Sequence, residues 1–205
     1  MNPLCKTAKT LDTVFKLFKI VVVIACIASV IAAAFMGAAL LFDLDTETLG
    51  ITDQILEIGV AKLTLAEGAS LPLSNALGHS LVEMAMILVL SVATLFAISY
   101  IRAILHPMTE GEPFRDVVAV NLKKLAWLQI IYGGVRFFLD GVEQALFNHF
   151  YGDALKELLE GSKISSIVYE SESDLTFLLI AGVLFLLSYV FRYAQELQKL
   201  SDETL

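Results

Sequence analysis

The chain has 205 residues, of which 57% are hydrophobic and 18% charged, with a net charge of −8. Soluble domains average roughly 45–50% apolar and about 25% charged residues. These proportions and a mean hydropathy of +0.75 argue against a soluble fold and for a chain solvated by lipid.

In chain order, the apolar residues gather in four blocks. The first, residues 20–42 ("IVVVIACIASVIAAAFMGAALLF"), is long enough to span a hydrocarbon core of roughly 30 Å as a helix rising about 1.5 Å per residue. Lys6, Lys9, Lys16 and Lys19 precede it. Its length exceeds the roughly 7–15 apolar residues of a signal-peptide core, so a retained span is expected. The second block, 81–105, and the fourth, 175–193, are equally clear. The third, 117–139, is the least apolar, with Asn121, Lys123 and Lys124 in its first two turns. It spans if the lysine stems lie along apolar surface and their ammoniums reach the headgroups.

Cationic residues concentrate in the N-terminal tail, between Arg102 and Lys124, and around Arg192 and Lys199; the connections 43–80 and 140–174 are mainly acidic. By the positive-inside rule, both termini and the 106–116 loop are cytoplasmic and the two longer connections lie outside. The expected fold is an all-α membrane protein, a single domain over residues 1–205 with four transmembrane helices, N-in and C-in. The outer segments contain β-branched residues in partial alternation, as in "ILEIGVAKLTLAEG" and "KISSIVYES", and read as short paired strands or, over 52–65, as an interfacial helix.

In lipid, small residues bring helices together. Ala25, Ser29, Ala33 and Gly37 recur every fourth residue in the first block, a row for packing inside the monomer or in a homodimer. Gly133 and Gly134 offer another close approach. Two charges lie inside apolar blocks: Glu83 near the outer end of the second and Arg136 near the outer end of the third. An unpaired charge at this depth costs several kcal/mol, so a Glu83–Arg136 ion pair is expected. His79, His106 and His149 fall at block boundaries and read as surface residues. Cys5 and Cys26 have neither metal nor disulfide spacing. No metal site, cofactor or catalytic set is expected, since no metalloprotease motif, Ser/Lys or Cys/His set occurs. The reading is therefore not an enzyme.

The loop "HPMTEGEPFRD" reads as a stiff hairpin. Pro107 is expected to end the second span, Gly111 to turn the chain, and Pro113 to open the next helix. Thr109 and Glu112 have capping-box spacing. Phe114 is left beside the membrane surface, to fold onto the second or fourth span. The helix "FRYAQELQKL" carries Leu197 and Leu200 on one face. With Glu110, Glu112, Phe114 and Arg115 they form a cytoplasmic surface suited to docking a small protein.

"EGEPF" before "NLKKLAWLQIIYGG", and a last span running into "VFRYAQELQKLSDETL", resemble a family of small bacterial integral membrane proteins catalogued as domain of unknown function 2975. Ala194 stands where that family commonly has glycine. The resemblance implies four spans in a bacterial inner membrane and a helix-turn-helix regulator as genetic neighbour. The expected function is thus a multi-pass regulator in the lipid bilayer that docks a small cytoplasmic DNA-binding partner, without binding nucleic acid itself. The alternative is a small transporter or immunity-type protein for a lipophilic or cationic compound, with Glu83 as the responsive group.

Overall fold

The computed structural model describes residues 3–41, 55–58, 61–65, 73–160, 164–169 and 175–203. These form helices α1 (Pro3–Leu41), α2 (Leu73–Glu110), α3 (Asp116–Glu160) and α4 (Thr176–Glu203), with strands β1 (Ile55–Ile58), β2 (Ala61–Leu65) and β3 (Ile164–Tyr169). Helices α1, α2 and α4 are long and apolar enough to cross a bilayer. Their large side chains, including Ile24, Ile31, Phe35, Val89, Phe96, Leu179 and Leu186, are exposed. Apolar helices with apolar outer faces need lipid as solvent, so the chain is a membrane protein. Helix α3 is the longest, at 45 residues, but lacks an equally apolar stretch, because Asn121, Lys123, Lys124, Gln129 and Arg136 interrupt it.

The expectation of one domain meets a chain that divides into two compact units: Met1–Cys26, Leu90–Val135 and Asp174–Leu205 form one, Ile27–Val89 and Arg136–Ser173 the other. In the first, Ile104, Val118 and Leu122 make a core with Met108, Leu184 and Phe191 around it. The Ser188 hydroxyl, buried on α4, donates to the Ala119 carbonyl of α3 at 2.8 Å. Gly133 lets α3 meet α4 closely, since a Cβ there would clash with the Phe177 ring. On α1, residues 5, 8, 12, 15, 19, 22, 26, 29 and 33 are sheltered, with 32 and 36–40. That alternation of three and four keeps one stripe against neighbouring helices. Of the small-residue row, Ser29, Ala33 and Gly37 are partly sheltered and Ala25 is exposed; a Cβ added at Gly37 would meet nothing within 4 Å.

In the second unit, β1, β2 and β3 form an antiparallel sheet in that order, pairing Leu56 with Leu63 and Leu63 with Ile167. The interfacial-helix alternative for 52–65 gives way to strands. Expectations touching residues 42–54, 66–72 and 170–174, and the last two residues of the acidic tail, lie outside the described residues.

Candidate functional site: a groove between the 111–116 hairpin and the α4 tail

Helix α2 does not stop at Pro107. Proline lacks one ladder donor, but it sits in the last full turn, and the helix continues to Glu110. Gly111 ends it, with φ +86°. The Glu112 N–H donates to the Pro107 carbonyl at 2.9 Å and the Gly111 N–H to Met108 at 3.3 Å. This is a Schellman closure, and it favours glycine because only glycine takes positive φ without strain. The Arg115 N–H then donates to Glu112 at 3.4 Å, placing Pro113 second in a four-residue turn, where its fixed φ suits, and not in the first turn of α3. Thr109 donates its hydroxyl to the His106 carbonyl at 2.7 Å, so the capping-box spacing is not used.

The hairpin is braced from both sides. Arg115 pairs with Glu110 at 2.8 Å and with Glu112. Phe114 packs on Phe191 of α4, ring centroids 5.9 Å apart, which settles its fold-back in favour of the fourth helix. Between hairpin and α4 tail lies a groove of about 900 Å³, lined by Glu112, Phe114, Arg115, Leu197 and Lys199 among others. Of the expected docking residues, Glu112, Phe114, Arg115 and Leu197 line it. Glu110 stands behind as the Arg115 partner, and Leu200 lies outside the lining although exposed. Two apolar side chains within a rim of both charge signs can accept an amphipathic segment.

Sequence reasoning missed Asp12. It receives Arg102 through two nitrogens, at 2.8 and 3.4 Å, and Lys19 reaches Ser99 at 3.2 Å. Both links join α1 to α2, and both α1 residues lie on the sheltered stripe. The seven-residue step from Asp12 to Lys19 was the available signal.

Glu83 and Arg136 are not joined by a salt bridge. Arg136 is exposed, and Glu83 instead faces His79 on its own helix and Glu143 on α3. The cause is register. Helix α2 runs about a turn beyond Pro107, so Glu83 meets α3 further along; Glu143 lies two turns past Arg136, roughly 10 Å at about 1.5 Å per residue. His79 is not a surface residue: its side chain is 3% exposed, between Phe150 and Tyr151. Its spacing of four from Glu83 was legible; Glu143, outside the apolar block, was not.

No protein-family model, curated protein or solved structure matches this chain.

Proposed function

We propose that the protein is a four-span regulator of a bacterial inner membrane that docks a helix of a small cytoplasmic protein in the groove between residues 111–116 and the α4 tail. The reading takes α3 as the fourth span, both termini as cytoplasmic and the partner as a helix-turn-helix regulator, in keeping with the family resemblance. It is not an enzyme in this reading. The observation that carries it is the groove itself. A rigid hairpin, closed by Gly111 and pinned by Phe114, holds apolar and charged groups in a concave surface. Preorganisation of this kind lowers the ordering cost of binding.

A photo-reactive residue at Leu197 tests it in cells. The expected product is one cross-link to a cytoplasmic DNA-binding protein, lost with Phe114→Asp, alongside altered transcripts of that regulator's targets. Absence of that cross-link, or unchanged transcripts in Phe114→Asp, contradicts the reading.

One observation favours the alternative of a small transporter. Among the described residues no lysine or arginine pairs with Glu83, whose side chain is 36% exposed. Under that reading Glu83→Gln abolishes tolerance of a cationic compound while the Leu197 cross-link never forms.

A further inference from the structure

The His79, Glu83 and Glu143 side chains lie together with no compensating cation among the described residues. His79 and Glu83 are four residues apart on α2, one above the other on a single face; Glu143 reaches them from α3. One ligand-type atom from each lies within 4.8 Å of the other two. The His79 Nδ1 is 3.9 Å from the Glu83 carboxylate, beyond hydrogen-bonding reach. Among the described residues no buried polar atom is left orphaned, and a ring nitrogen of His79 keeps a lone pair available to a ligand at the cluster.

The carboxylates make a demand of their own: Glu83 and Glu143 set two acids against each other with no lysine or arginine paired to them among the described residues, which costs free energy while both are ionised. Aromatic walls sharpen the conflict: Phe147 and Tyr151 are essentially inaccessible, with rings 5.2 Å apart. Gly78 brings Phe150 onto the helix beside His79, where a Cβ would stand 2.9 Å from the ring.

We propose that His79, Glu83 and Glu143 bind a divalent first-row transition ion such as zinc. One ion would accept the imidazole lone pair and neutralise two carboxylates. A modest inward turn of each side chain reaches the roughly 2.0–2.2 Å that zinc takes to nitrogen and carboxylate oxygen. One imidazole with two carboxylates suits zinc, manganese or iron(II), whereas magnesium favours oxygen ligands and water. The exposed part of Glu83 provides a path for the ion and leaves a position for water. The site ties α2 to α3 and is independent of the groove.

Zinc titration of the chelator-stripped, full-length protein in nanodiscs tests this by calorimetry, with cobalt absorption as a second readout. The expected result is one zinc per chain, removable by chelator and not displaced by excess magnesium. His79→Gln, Glu83→Gln and Glu143→Gln each weaken binding at least about tenfold, and His79→Gln changes the cobalt spectrum. Zinc raises the melting temperature of the wild type but not of the variants. Wild-type protein that takes up no zinc, or variants that bind it unchanged, overturns the proposal and leaves a proton shared by the carboxylates. Any variant that fails to fold is replaced by His79→Asn or Glu143→Asp, judged by the same criteria.

Discussion

Arg102 on α2 grips both carboxylate oxygens of Asp12 on α1, and each side chain is about one-third exposed. Two parallel N–H···O bonds fix orientation as well as charge. The pair holds α1, whose lipid-facing side chains contribute little to association in a bilayer. Asp12→Asn or Arg102→Gln is expected to destabilise the folded protein by about 1–2 kcal/mol, between the values for exposed and buried pairs. Thermal melting in detergent measures this. A double-mutant cycle should show the two losses to be strongly non-additive.

Gly133→Ala should be among the most harmful single-methyl changes on α3. The added carbon would clash with the Phe177 ring and fall 2.7 Å from its Cβ, so α3 and α4 must move apart. Overpacking of this kind costs about 1–3 kcal/mol. Gly134→Ala is the control, since nothing lies within 4 Å there; it should be neutral or slightly stabilising. Phe177→Ala should partly rescue Gly133→Ala in the same melting assay.

Gly111→Val should loosen the hairpin without unfolding the spans. Positive φ costs most non-glycine residues roughly 1–2 kcal/mol, and β-branched ones more. Faster amide exchange at Glu112 and Arg115, with exchange in α4 unchanged, is the expected signature; Gly111→Asn should be milder.

Long apolar stretches made α1, α2 and α4 legible, because a bilayer demands length and apolarity before any packing detail. Less was legible where two helices meet. Ser29 and Ala33 of the small-residue row continue the sheltered stripe on α1, but towards the N-terminus that stripe also takes in Asp12 and Lys19. A polar pair in that stripe is invisible to any search for small or apolar residues. The Glu83 partner was misplaced because Pro107 was given the power to end α2. A proline within the last turn removes one bond only, and Gly111, whose turn was anticipated, sets the end. Four of the six residues expected for docking line the groove, since turn chemistry and helix periodicity are local properties that sequence carries directly. His79 was lost for the opposite reason, as its burial depends on Phe150 and Tyr151 some seventy residues away.

Thiol labelling in intact cells tests the central claim most directly, that a lipid-embedded chain presents the groove to the cytoplasm. In a background with Cys5 and Cys26 replaced by serine, a cysteine at Glu112 or Gln198 should react with a membrane-impermeant maleimide only after the cells are permeabilised. One at Lys156 should react in intact cells. Labelling of the groove positions from outside intact cells, or recovery of the protein in the soluble fraction without detergent, would contradict the account.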